Sequence, residues 1–371
     1  MTTKKKPANK LPFLTTYYMY ITGGCNLACQ HCWIAPTFEK DGGSGECLDF
    51  DLYKLAVDEG IPLGLKQVKF TGGEPLLHPD FMKMADYATE KGIRAWMETN
   101  GTLLTAEIAC YLKDNTSLNF ISVSLDGAIA STNDGFRNVK GSFDQAIRGI
   151  EFLVKAGYKP QIIMSLFKGN SKEIEAMVKL AVDMGCGSLK FNIIQSSGRG
   201  EKLVKDEKLL SIHELLDLGR WIENDLQKKH SIPLLFSWPM AFHSIRRLHT
   251  DNGANCGLIN ILGILSSGEI ALCGIGTQEK DLIYGRLGKD KVSDIWKNSF
   301  GLKKMREGIP NNLEGICGKC VFKNRCLGSC VAQNYHSAKR LTAPFWFCRD
   351  ADKERLFPTN KYLTIKKNNL Q

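Results

Sequence analysis

No run of this 371-residue chain reaches the roughly 20 consecutive apolar residues that a membrane-crossing helix needs. The most apolar candidate, Ile232 to Ile245, is broken by Pro233, Ser237, Pro239 and His243. The first twelve residues are basic and polar, with Lys4, Lys5, Lys6 and Pro7, and lack the apolar centre and cleavage site of a secretory signal. Internal repeats and low-complexity segments are missing too. Basic clusters interleaved with aromatics are lacking, so neither a membrane nor a nucleic acid is expected as a partner. Hydrophobic content of 43% and charged content of 24% describe an ordinary globular protein. Against that background thirteen cysteines are an excess. Without a secretion signal they read as metal ligands in a reducing, cytoplasmic compartment.

Three of them fall within Cys25-Asn26-Leu27-Ala28-Cys29-Gln30-His31-Cys32, after the apolar stretch Tyr17 to Ile21 and a Gly23-Gly24 turn. A C-x3-C-x2-C triplet can hold three corners of a four-iron cluster and leave the fourth iron open to a small molecule. A zinc knuckle is the alternative. Zinc sites, however, usually pair two C-x2-C-type arms across a longer loop, and His31 is the one further ligand nearby. The triplet resembles the defining motif of the radical S-adenosylmethionine (SAM) superfamily. That resemblance implies that the open iron chelates SAM, whose reductive cleavage yields a 5′-deoxyadenosyl radical. The protein then holds cofactor and substrate in register and keeps water out.

From residue 17 to about 230, short apolar runs alternate with amphipathic segments. Strands are expected at Tyr17–Thr22, Gln67–Thr71, Ile93–Thr99, Phe120–Leu125, Gln161–Phe167 and Leu189–Ile194. Helical patterning falls near 50–59, 79–91, 105–113, 143–156, 172–184 and 211–229, with Gly60, Gly92, Gly157 and Gly185 placed as stops. Six βα units in series predict an α/β fold, a parallel sheet curling into a partial (β/α)6 barrel with its site at the C-terminal strand ends. Beyond residue 250 glycine and cysteine become frequent, and helical patterning survives near 292–307 and 328–338. The expected organisation is a basic tail over 1–16, the barrel over 17–230, a linker over 231–255, a cysteine-rich domain over 256–350 and a C-terminal tail over 351–371, loosely held beyond residue 357.

The strand ends carry further motifs. Thr71-Gly72-Gly73-Glu74-Pro75 follows the second strand, and Glu74 can accept a hydrogen bond from an ammonium. It resembles the GGE motif that binds the SAM amino group in this superfamily. Asn100, in Glu98-Thr99-Asn100-Gly101, and Ser124 and Asp126, in Ser124-Leu125-Asp126-Gly127, match strand ends that meet the cofactor. By the same resemblance Ser124 and Asp126 bond the ribose hydroxyls, Arg137 takes the cofactor carboxylate and His31 stands beside the adenine. A turn, a cap or a surface salt bridge is the plainer account of each.

The remaining cysteines form a second pattern: Cys256, Cys273, Cys317, Cys320, Cys326, Cys330 and Cys348, with Gly268 in a hairpin turn before Cys273. It resembles the seven-cysteine SPASM extension, which carries two auxiliary four-iron clusters, so three [4Fe-4S] clusters are implied in all. A zinc ribbon would account for Cys317, Cys320, Cys326 and Cys330 but not for the other three. The resemblance assigns Cys317, Cys320, Cys326 and Cys348 to an outer cluster. It assigns Cys256, Cys273 and Cys330 to an inner one, whose last iron is open or held by an eighth ligand from elsewhere, Cys47, Cys110 and Cys186 included. The formal charge of +10 falls to about +6 once ten cluster thiolates and three cores are counted.

SPASM enzymes mostly act on peptides, so the expected substrate is a ribosomally made precursor peptide and the expected product a thioether or carbon–carbon cross-link. Epimerisation and fragment excision are alternatives within the same class. A sulfatase-maturing enzyme is the nearest competitor, but Gly274 follows Cys273 where that group carries an aspartate base. A non-catalytic iron–sulfur electron carrier would need no polar strand ends such as Glu74, Ser124 and Asp126. The resemblance implies an external electron donor such as flavodoxin or ferredoxin. Only sixteen residues precede the first strand, so leader recognition is expected from a separate leader-binding protein or from the barrel and SPASM surfaces. No catalytic base or hydrogen donor emerges from the sequence.

Overall fold

Period-two alternation sorts each central strand into one face for the helices and one for the lumen. In the computed structural model, which describes residues 11–38, 43–250 and 257–363, the parallel strands are β1 (Thr16–Thr22), β2 (Gln67–Gly72), β3 (Arg94–Thr99), β4 (Leu118–Ser124), β5 (Gln161–Leu166), β6 (Ser188–Ile193) and β7 (Leu234–Phe236). Tyr17 and Met19, Val68 and Phe70, Ala95 and Met97, Ile121 and Val123, and Leu189 and Phe191 all point into the core. That core meets α1 (Phe50–Gly60), α2 (Phe81–Glu90), α3 (Ala106–Asn115), α5 (Ser142–Lys155) and α6 (Ile174–Asp183) through Val57, Met84, Leu112, Ile150 and Val178. Burying such side chains contributes about 1.5–3 kcal/mol each before chain entropy is counted.

The sheet continues past the expected barrel. Its order is β10-β9-β8-β1-β2-β3-β4-β5-β6-β7, where β8 is Ile261–Ile264, β9 Glu269–Ala271 and β10 Ile283–Arg286. β8 pairs parallel to β1, with Tyr17 opposite Leu262, and the β8–β9 hairpin is antiparallel. Gly268 sits in its turn at φ +81. The cysteine-rich region therefore starts as an extension of the barrel sheet. The segment expected as linker contributes β7, which extends the sheet beside β6.

Helix boundaries follow their caps. Asp49 accepts from the N–H groups of Asp51 and Leu52 at the start of α1, and Ser211 and Glu214 form a reciprocal capping box on α8 (Ile212–Trp221). α1 ends at Gly60, the expected stop, and a short turn carries the chain on to Gly64, which is left-handed at φ +103. Within the barrel region two described helices escaped the sequence pattern: α4 (Ala130–Arg137) and α7 (Gly200–Lys205), both weakly apolar. The expected tail also differs. Residues Trp346–Lys353 are helical, Phe357 is buried, and the Tyr362 ring packs 5.1 Å from it, so the segment is docked up to Leu363. Two aromatic side chains supply the apolar area that holds it. Among the described residues no helix is long and apolar enough to cross a membrane.

Candidate active site at the strand ends

The loop after β1 carries the cysteine triplet, and three neighbouring segments fasten it. The N–H groups of Ala28 and Gln30 donate to the Arg137 and Phe136 carbonyls at 3.2 and 3.0 Å, tying the loop to the end of α4. The Arg199 N–H donates to the Cys32 carbonyl at 3.0 Å, and the Glu74 N–H to the Gly24 carbonyl at 3.1 Å. Cys25 and Cys29 are buried and Cys32 half-buried. Burial pushes the Cys25 thiol up to about 12, with Glu74 adding to it, and the Cys29 thiol up to about 11 against the pull of Arg137. Both hold their protons near neutral pH, so a bound metal must displace them.

Glu74 is buried behind this loop. Its Oε1 accepts from Thr99 Oγ1 at 2.7 Å and the Leu76 N–H at 3.2 Å, and its Oε2 from the Asn100 N–H at 2.8 Å. Burial still raises its pKa. The Asn100 amide braces the loop, donating to Asn26 Oδ1 at 2.8 Å and lying 3.9 Å from Cys25 Sγ.

Asp126 is fully buried, and its carboxylate is shared among three partners. The Ser165 N–H donates to Oδ1 at 2.7 Å, Arg137 Nη2 lies 2.7 Å from Oδ2, and His31 Nε2 lies 3.7 Å from it. Arg137 also brings Nη1 to 3.8 Å from Cys29 Sγ. Asp126 thus orients Arg137 toward the thiols. Ser124 is half-buried and paired in register with Ile163. The His31 ring stacks on Phe136 (centroids 4.7 Å apart, planes within 4°), which stacks on Phe167 at 4.0 Å. Burial lowers the His31 pKa to about 4, leaving a neutral imidazole.

Among the described residues, buried polar atoms around the loop without a hydrogen-bond partner include His31 Nδ1, Arg137 Nε, Ser197 Oγ and Arg199 Nε. Such groups are costly unless a ligand or water satisfies them. Two guanidinium donors beside three thiols suit an anionic, hydrogen-bonding small molecule next to a metal cluster. The sequence reading missed Thr99, Phe136, Phe167, Ser197 and Arg199. Ser197 and Arg199 follow β6, and the strand-end rule applied to that sixth strand would have found them.

The second centre is a small cavity lined by Cys317, Cys320, Cys326 and Cys348. Cys348 hydrogen-bonds to Cys317, which raises the Cys348 thiol and lowers that of Cys317. The N–H groups of Phe345 and Phe322 point at Cys317 and Cys320 Sγ, each at 3.4 Å. Cys330 lies outside that cavity, at the start of the helix Val331–Ala338. Cys273 borders Tyr20, whose ring occupies the space a side chain on Gly274 would need. Cys256 lies outside the described residues. Among those described, no three His, Cys, Asp or Glu groups converge on a single metal ion. A four-iron cluster takes each thiolate on a different iron, and four thiols around one cavity fit it. Of the other cysteines, Cys186 is buried just before β6, at the opposite end of the strands, and Cys110 is exposed on α3. Cys47 bridges to Thr22.

A family model for the Radical SAM superfamily matches residues 19–181. AdoMet-dependent heme synthase of Methanosarcina barkeri is 32% identical over 331 residues, covering 85% of this chain and 90% of that protein. The chain belongs to the radical SAM superfamily. Fe-coproporphyrin III synthase of the same organism is 35% identical over 88% of this chain and 86% of its own length. Mycofactocin maturase MftC of Mycobacterium tuberculosis is 27% identical over 92% and 85%. Among solved structures, Streptococcus suis SuiB bound to precursor peptide SuiA superposes with a TM-score of 0.72 at 16% identity, covering 91% of this chain and 76% of that one. The structure of anSMEcpe with bound AdoMet and Cp18Cys peptide gives 0.70 at 16% identity, covering 92% and 95%. This radical SAM protein therefore has the fold of the SPASM-type enzymes, a partial barrel followed by a cysteine-rich extension.

Proposed function

We propose that this radical SAM protein modifies a ribosomally made precursor peptide. The observation that carries the reading is a set of buried polar atoms without a hydrogen-bond partner among the described residues, Arg137 Nε, Arg199 Nε and His31 Nδ1, around a loop of three thiols. Cys25, Cys29 and Cys32 hold the first four-iron cluster. Gly72, Gly73, Glu74, Asn100, Ser124, Asp126, Arg137 and His31 form the SAM site, with Asp126 acting through Arg137. Cys317, Cys320, Cys326 and Cys348 hold the outer auxiliary cluster, and Cys256, Cys273 and Cys330 the inner one. When bound, these groups supply a 5′-deoxyadenosyl radical and an acceptor for the second electron. A flavodoxin or ferredoxin is the external reductant, and a separate leader-binding protein is the further partner where the barrel and SPASM surfaces do not read the leader.

The peptide reading is supported by the maturase MftC among the relatives and by SuiB and anSMEcpe, whose structures hold peptides. The favoured product is a thioether or carbon–carbon cross-link. The test is the intact mass of a short peptide encoded beside the gene, after anaerobic co-expression. Loss of two hydrogens per event, abolished by Cys25→Ala, is the expected result. An unchanged mass without deuterium uptake from heavy water sinks it for that peptide.

A second reading, action on an iron tetrapyrrole, is favoured by the higher identity of the heme synthase and the Fe-coproporphyrin III synthase. A SAM-dependent mass change in added Fe-coproporphyrin III, absent in Cys25→Ala, would select it.

A further inference from the structure

The lumen face of the barrel carries charge that the chemistry described above does not use. Opposite the core-facing residues, β2 presents Lys69, β3 presents Glu98, and β6 presents Lys190. Lys69 Nζ lies 2.6 Å from Glu98 Oε1 and 5.0 Å from the centre of the Tyr18 ring on β1. These two residues satisfy one another. Lys190 is left over: among the described residues no hydrogen bond or ion pair holds its ammonium. Burial lowers its pKa, and Glu98 offsets this only in part while Lys69 adds to it. Two cations against one carboxylate leave the lumen an anion short.

The register shows where that anion would sit. Lys190 pairs with Ile163 on β5, which pairs with Ser124 on β4. Lys190 therefore stands level with Ser124, one of the proposed cofactor contacts, on the same concave face. Lower on that face Trp96 and Phe120 lie with ring centres 5.3 Å apart. A molecule with an apolar body and an acidic end fits such a surface. Its carboxylate meets the free ammonium, and the carbons next to it lie at the level of the proposed cofactor site.

We propose that Lys190, set beside the Lys69–Glu98 pair, is the seat of a substrate carboxylate inside the barrel. This rests on the reading of the chain as a radical enzyme that works at its strand ends. The carboxylate comes from a peptide C-terminus or from a tetrapyrrole side chain, and in both cases an ammonium in a low-dielectric lumen supplies a strong charge-assisted bond. Lys69 is a positioning residue that keeps Glu98 engaged, so that Glu98 does not neutralise Lys190.

The test is binding to the anaerobically reconstituted enzyme with SAM present. One probe is coproporphyrin III against its tetramethyl ester. The other is a pool of short acetylated peptides with free C-termini against the same pool as amides. The wild type is expected to prefer one acid form at least tenfold. Lys190→Met should abolish that preference and Lys190→Arg should keep it within about threefold, with visible cluster absorption confirming that both variants are loaded. The probe that shows the preference identifies the source. No acid preference in either probe, or one that survives intact in Lys190→Met, overturns the proposal. Failure of the underlying reading has a separate signature: loaded wild type that forms no 5′-deoxyadenosine from SAM.

Discussion

The α-carbon of Gly73 faces the carbonyl of Gly24 so closely that a β-carbon on Gly73 would stand 1.8 Å from that oxygen. The end of β2 and the approach to the cysteine loop are thus in backbone contact, and Glu74 N–H bonds the same Gly24 carbonyl. A side chain at position 73 must push one of the two segments away.

Gly73→Ala is therefore expected to displace the loop that holds Cys25. The overlap is with backbone, which cannot swing aside, so the cost should reach at least the 1–3 kcal/mol typical of overpacking. Iron content after reconstitution and the thermal midpoint check it. Wild-type values for both would show that the contact is not tight.

Arg137 and Asp126 are a buried ion pair, and removing one member strands the other. Arg137→Met should cost about 3–5 kcal/mol by denaturant unfolding. The double variant Arg137→Met with Asp126→Asn should recover part of that loss, because the stranded charge is gone. Additive losses would mean that the pair is not coupled.

Burial raises the Cys186 thiol from 9.0 to about 12. The unfolded chain releases this proton near pH 9 and the folded chain holds it up to about 12. Above pH 9 the folded state binds more protons, so stability falls as pH rises, by up to about 1.4 kcal/mol per pH unit for this one group. Cys186→Ala should flatten the thermal midpoint of the reconstituted protein between pH 9 and 10.5, whatever its absolute offset. An unchanged slope would contradict the raised value.

Cys317 belongs to the four-thiol cavity, whereas Cys110 is exposed on α3. Cys317→Ala should lower bound iron by about four atoms per chain, the content of one four-iron cluster. Cys110→Ser should leave iron unchanged. Equal iron in both variants would remove the outer cluster from that cavity.

The catalytic grammar was legible because it is local. Cys25, Cys29 and Cys32 lie within one loop, and Gly72-Gly73-Glu74 within one turn, so spacing alone points to their chemistry. The six central strands were legible for a related reason: alternation and the breaks at Gly92, Gly157 and Gly185 are written in consecutive residues. Helix α4 was not, since Ala130–Arg137 has few apolar residues and gains its place by bonding the cysteine loop. The local partners of Asp126 and Asn100 were not legible either. Sequence position put both at strand ends beside the expected cofactor, and only the structure shows that their side chains also hold Arg137 and Asn26.

The sequence determined, through residue type and short-range spacing, that the chain is a barrel with a three-thiol loop, polar strand ends and a cysteine-rich extension. Tertiary structure alone decided which groups meet. It set Asp126 against Arg137, brought the Arg137 guanidinium beside Cys29, and left Lys190 without a hydrogen bond or ion pair among the described residues. Those outcomes depend on how loops, helices and strands pack, which brings together residues from about ten to about a hundred positions apart. No local pattern encodes such pairings, because the free energy that selects them comes from burial of the whole core.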